Sequence, residues 1–280
     1  MPGPILNAYG VPIVDTSAPA GSPEHVDGRA VIGYHSIFRR ADKTVEADAV
    51  AGYPGENAFD DLTFDYWLTE PGTGDQYLTV TFDAAVSCDY LGIAAHDLFS
   101  QDAVIDFQRW NPDTSAFESV LANEGFVPVS DAPFMLTFDQ ATSTIWRLVV
   151  SASTSCKLGI VFAGIAMPLQ RFVRVGHVPG PMNEDLVYVN NESEGGQSIG
   201  RSLVRRANLA ELNLSWLTPA WVRAHWKSFQ EHARTLPWFF AWDRQEFPDE
   251  VIFGFADGVP APALANPLYE AVTLKMRGLA

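Results

Sequence analysis

Between Tyr77 and Ala163, apolar residues recur at every second position in short runs, and Gly, Pro, Asn, Asp and Ser separate the runs. In residues 77–82, Leu78, Val80 and Phe82 share one face and the threonines the other, which is the period of a half-buried strand. Residues 90–94 are almost wholly apolar, as expected of a strand covered on both sides. Residues 103–110 alternate again and end in the turn residues Asn111, Pro112 and Asp113. A strand over 134–138 precedes a predicted loop at 139–143, and residues 145–150 and 158–163 predict an antiparallel pair. No helical period intervenes, so the pattern predicts a β-sandwich or barrel and excludes a doubly wound α/β sheet.

The pattern changes beyond Pro168. Residues 189–196, rich in Asn, Glu and Gly, predict a loop between strands. Thr218 is a good N-cap and Pro219 suits a first helical position, so a helix is predicted from there to about Arg234, ahead of Pro237. Val222, Trp226, Phe229 and Ala233 form its apolar stripe. Residues 238–242, 251–255 and 270–276 predict three further strands. Upstream, residues 1–28 are Pro/Gly/Ala/Ser-rich with one short apolar stretch, Val11-Pro12-Ile13-Val14, and predict an extended arm. A short strand at 31–34 follows it. The organisation is thus an arm and short strand (1–40) packing on the second unit, a sandwich (41–169), and a smaller β unit with one helix (170–280).

The chain has 34 acidic and 18 basic residues in 280, and the imbalance is local. Residues 171–280 carry a net charge of −1, which leaves −15 on the first 170. A surface that acidic argues against binding the phosphate backbone of nucleic acid. No apolar run is long enough for a membrane helix, and no secretory signal is visible, so assembly in a cytosol is expected. Cys88 and Cys156 cannot form a four-ligand zinc site by themselves. A disulfide would require neighbouring strands, and a reducing cytosol favours two buried free thiols.

No phosphate-binding loop, nucleophile elbow or His-Glu-x-x-His zinc motif is present. No catalytic residue, metal site or cofactor is therefore expected. Asp60 and Asp61, with Asp65 nearby, offer oxygen ligands for a cation or a sugar, against the plainer role of turn residues. His96 and Asp97, just after the strand ending at Ala94, are further candidates for a glycan or cation contact. Trp110 stands at a strand–turn junction where its ring could stack on a sugar, or fill the end of a core. Alternation places Trp238, Phe240 and Trp242 on one side of a strand and Phe239 on the other. One side must meet the core, and the other is expected at a contact with a neighbouring subunit.

Residues 57–61, Tyr66-Trp67 and residues 76–82, with 145–148 and 158–160 as closing strands, resemble a discoidin-like, galactose-binding-like jelly roll over about 41–169. The arrangement also resembles tail-tip or baseplate proteins of long-tailed bacteriophages. There such a domain precedes a β unit with one helix and an aromatic segment like 236–242, and residues 272–279 are similar to the last strand of tail-tube-like units. The resemblance implies a non-enzymatic virion protein, assembled in the host cytoplasm, whose partners are other tail proteins, copies of itself and a host-surface glycan. The alternatives are a carbohydrate-binding module of another assembly and a glycan-active enzyme.

Overall fold

The computed structural model describes residues 5–6, 12–13, 29–72, 74–122, 125–173, 177–244, 246–247 and 249–278. Most of the arm predicted over 1–28 lies outside them. Within it, β1 (Ile5–Leu6) pairs antiparallel with β2 (Pro12–Ile13). Next comes β3 (Val31–Gly33).

The sandwich is built from β4 (Lys43–Ala47), β5 (Trp67–Leu68), β6 (Gly74–His96), β7 (Val104–Asn111), β8 (Ala116–Ser119), β9 (Phe134–Ala152) and β10 (Lys157–Gly164). All pairings are antiparallel, in the order β5-β10-β6-β9-β7-β8, with β4 also on β6. Two long strands stand where four short ones and a loop were expected. The β6–β9 ladder breaks between Thr81 and Val86, where both strands turn from one layer into the other. A second register shift falls between Cys88 and Tyr90; Asp83 at the first shift and Asp139 and Gln140 at the second are exposed, so they read as loop residues although the strands are paired around them. The outer layer holds β4, β7, β8 and the 74–82 and 145–152 halves; the inner layer holds β5, β10 and the other halves. Between them lie Leu78, Val80, Phe107, Trp146, Leu91, Ile93, Leu158 and Val161.

The expected pairing of 145–150 with 158–163 does not form, because β6 lies between β9 and β10. Cys88 and Cys156 are both free and buried.

The second sheet runs β11 (Met167–Pro168), β3, β14 (Trp238–Ala241), β15 (Val251–Ala256), β17 (Tyr269–Gly278), β13 (Ser198–Leu217) and β12 (Glu184–Glu192), with β16 (Ala263–Asn266) on β17. The first half of the predicted loop at 189–196 is strand, and the β12–β13 turn occupies its second half, from Ser193. Register shifts at Val187/Tyr188 and Asn191/Glu192, with both faces of this hairpin exposed, remove the alternation that would have marked it. The helix begins where expected, and the Thr218 hydroxyl accepts from Trp221 N–H. It is α-helical over Pro219–Trp221 and Lys227–Ala233 and π-wound over Val222–Trp226. Its stripe of Val222, Trp226, Phe229 and Ala233 packs on Leu212, Leu214, Trp238, Phe240 and Leu274.

The other face of this sheet meets the inner layer of the sandwich. Val31, Phe239, Ala241, Val251 and Phe253 pack there on Tyr90, Ala94, Met135, Ile160 and Phe162. Phe239 approaches so closely that a Cβ on Gly92 would lie 2.9 Å from its ring. Residues 238–241 therefore have no side left for a neighbouring subunit. Trp238 and Phe240 belong to the helix-side core and Phe239 to the joint, each at most 1% exposed. Trp242 is half-buried, stacked on Phe247 at 5.2 Å and donating to Glu250 Oε2 at 2.6 Å. The strand alternates as its sequence predicts, but its second face is claimed by the sandwich of the same chain.

Candidate functional site

The sequence-derived candidates do not converge. Asp60 Oδ1 accepts from Leu62 N–H at 2.9 Å, a turn role. Asp61 pairs with Arg39, whose guanidinium lies 4.6 Å from the Phe162 ring centroid beside the joint. Burial raises the Asp61 pKa, and Arg39 opposes that shift. His96 is buried; its Nε2 lies 3.0 Å from the Ala132 carbonyl and Nδ1 accepts from Leu98 N–H. Burial depresses its pKa, so the ring is a neutral strut for the loop. Asp97 Oδ1 caps Lys157 N–H at 2.7 Å. These four residues are occupied in holding loops and the joint.

Trp110 is different. It lies on the outward face of the outer layer, the face turned away from the second sheet. Alternation along β6, β9, β7 and β8 brings Tyr77, Arg147, Gln108 and Phe117 to that same face, with Gln108 opposite Arg147 and Trp110 opposite Phe117. The Arg147 guanidinium carbon sits 3.6 Å from the Phe117 centroid and 4.6 Å from that of Tyr77. Its Nε and Nη2 both donate to Gln108 Oε1, at 3.0 and 2.6 Å. Trp110 meets Phe117 edge-on at 5.1 Å. Partial burial lowers the Arg147 pKa, opposed by Tyr77, Asp106 and Asp75, and the group stays charged.

Acceptors frame this stripe. Asp106 takes Gln108 Nε2 at 2.7 Å and the Ser119 hydroxyl at 2.5 Å. Asp75 takes the Ser151 hydroxyl at 2.5 Å. The result is a solvent-facing surface of aromatic rings, a fork of N–H donors and carboxylate acceptors. Such a mixture suits a polyhydroxylated ligand lying across strands.

No family model and no curated protein matches this chain. Among solved structures, part of it is similar to a GH29 fucosidase of Ruminococcus gnavus, at 14% identity and a TM-score of 0.40, over 48% of this chain and 27% of that one. It is also similar to chitosan-binding module 1 from a chitosanase/glucanase of Paenibacillus sp. IK-5, at 15% identity and a TM-score of 0.38, over 46% of this chain and 98% of the module. A third is the CpGH89CBM32-6 module of Clostridium perfringens, at 9% identity and a TM-score of 0.39, over 46% and 98%. The chain spans about a quarter of the fucosidase's length. None of these three is named as a tail or baseplate protein.

Sequence reasoning found Trp110 and missed Tyr77, Gln108, Phe117 and Arg147. These come from four strands, and only knowledge of which strands are neighbours brings them together. The one local signal was Arg147, a charge in the otherwise apolar run 145–150. Among the described residues, no group of three or more His, Cys, Asp or Glu is placed to hold a metal.

Proposed function

We propose that this chain is a non-catalytic carbohydrate-contacting protein, in which the outward sheet face of the jelly roll engages a glycan and the second unit anchors it. The observation that carries the reading is Arg147, fixed between two aromatic rings and bonded through two of its five N–H donors to Gln108. Its remaining donors have no protein partner among the described residues. An Arg held flat in this way offers sugar hydroxyls a preorganised donor set beside the stacking surface of Trp110. Affinity electrophoresis through a panel of polysaccharides tests it. Retardation by at least one polymer is expected, and Arg147→Lys and Trp110→Ala should abolish it without altering the melting temperature. A chain that migrates freely through every polymer would refute the reading, and release of reducing sugar would refute its non-catalytic part.

A second reading is that the anchoring partner is a phage tail tip, with other tail proteins and copies of this chain as neighbours and the virion as its location. Its support is the sequence resemblance together with the distribution of exposed large apolar side chains. Among the described residues fourteen lie beyond residue 170 and seven before it, although the second part is the shorter. Such exposure suits a unit that is covered in an assembly. Mass spectrometry of purified particles decides it; particles lacking the chain would eliminate the tail reading.

A further inference from the structure

One row of side chains crosses every strand of the outer layer. Antiparallel register sets Ser119 on β8 opposite Gln108 on β7, and Gln108 opposite Arg147 on β9. It sets Arg147 in turn opposite Thr79 on β6, and Thr79 opposite Glu46 on β4. Directly opposed residues of an antiparallel pair share one face, so all five stand on the outward face with Trp110. Five strands enclose four gaps, a width of about 19 Å. In the sheet β8 pairs only with β7 and β4 only with β6, so the row runs off the layer at both ends.

Charge is unevenly placed along it. Among the outward positions of these strands Arg147 is the one cation, and it stands at the centre of the row. The carboxylates of Asp75 and Asp106 lie on the same face to one side of the row, and Glu46 ends it. Asp106 already accepts from Gln108 and Ser119, and Asp75 from Ser151 and Tyr77, so the middle of the row offers a ligand chiefly the free donors of Arg147. A polyanion could pair with Arg147 but would meet these carboxylates and the net −15 of the first 170 residues. A polycation would be drawn to the carboxylates but would bring ammonium groups against the central guanidinium. Uncharged hydroxyls meet neither repulsion, and they can both accept from Arg147 and donate to a carboxylate.

We infer that the ligand of this face is a neutral, linear polysaccharide held along its interior and lying across the strands from β8 to β4. This rests on the glycan-contacting reading of the same face, and adds the charge class, the direction and the mode of binding. A linear 1,4-linked pyranose chain advances about one interstrand gap, ~5 Å, per ring, so the row takes about four rings. Because the row is open at both edge strands, neither end of the polymer is enclosed.

Isothermal titration of the full chain with cello-, manno-, xylo- and N-acetylchito-oligosaccharides of increasing length tests the inference, with oligoalginate and oligochitosan as the charged comparisons. At least one neutral series should bind, gaining about tenfold or more in affinity from two rings to four and little beyond about five. Its affinity should change by less than about twofold between about 50 and 500 mM NaCl, and blocking either end of the longer ligands should leave it unaltered. Glu46 is exposed at the β4 end of the row. Glu46→Ala should weaken the four-ring ligand about threefold and leave the two-ring ligand unchanged. Preference for oligoalginate or oligochitosan would overturn the inference, as would affinity already maximal at one ring or lost when an end is blocked. A Glu46→Ala variant identical to the parent at every length would also overturn it, by removing the crossing direction. Each of these outcomes leaves glycan contact at Arg147 and Trp110 standing, whereas binding to none of the six series removes that reading together with the inference.

Discussion

Replacing Phe239 with alanine removes a fully buried ring that lies between the two units of the chain. The ring stands 4.6 Å from Phe253 within its own sheet and 5.4 Å from Phe162 across the joint. Backbone limits relaxation on both sides, through the paired strands β14 and β15 and through the close approach of Gly92. Phe→Ala changes in cores cost about 3–5 kcal/mol, and a site that cannot collapse belongs at the upper end. A loss of about 4 kcal/mol is expected, a large share of the total stability of an ordinary domain. Urea unfolding followed by tryptophan fluorescence reads it as a midpoint lower by about 1–2 M. Phe64→Ala is the control: that ring is 72% exposed, and its loss should change stability by no more than about 0.5 kcal/mol. A Phe239→Ala loss below about 1 kcal/mol would refute the buried-joint reasoning. So would unchanged unfolding accompanied by a loss of oligomer in sedimentation, the outcome expected of a surface aromatic.

Residues 41–169 expressed alone should unfold in one cooperative transition, since all of their core but the contribution of Phe38 and Ile37 comes from their own residues; a broad, non-cooperative urea curve would defeat this. Half-buried His35 and buried His232 lie near each other and near Arg39, and desolvation first, with Arg39 adding to it, lowers their pKa values from 6.5 to about 4 and about 3. The unfolded chain therefore takes up protons first, so stability is complete above about pH 6.5 and falls as the pH drops through that window. His232→Gln should flatten the fall in urea midpoint, and identical pH profiles for parent and variant would contradict it. Burial pushes the Cys156 thiol up to about 12 and Cys88 upward as well, so a disulfide reagent should label neither in the native protein and both in urea. Rapid native labelling would count against this.

Local periodicity made the strand content and the helix stripe legible, because Leu78, Val80 and Phe82 face one core and Val222, Trp226, Phe229 and Ala233 another. It did not reveal that strands pass between layers. Asp83, Asp139 and Gln140 are exposed at the two register shifts, so the sequence there carries loop chemistry between paired stretches of backbone. The partner of 145–150 was misread because sequence neighbours were assumed to pair, whereas this topology inserts β6 between β9 and β10. The same non-locality hid the outward stripe: Trp110 was visible as a single residue, but its neighbours Arg147, Tyr77 and Phe117 are set by register. The two-sided burial of residues 238–241 was undecidable from alternation, which gives the faces of a strand and not what covers them.

The continuity of β6 and β9 through both layers also sets how the molecule carries force. Tyr77 on the outward face and Tyr90 in the joint belong to one strand, and Arg147 and Met135 to the other. Tension applied at Arg147 would run along an unbroken backbone to the joint. Because β6 and β9 are paired along both halves, that load acts in shear on many hydrogen bonds at once and does not peel them in succession. The sandwich thus couples its outer face mechanically to the second sheet.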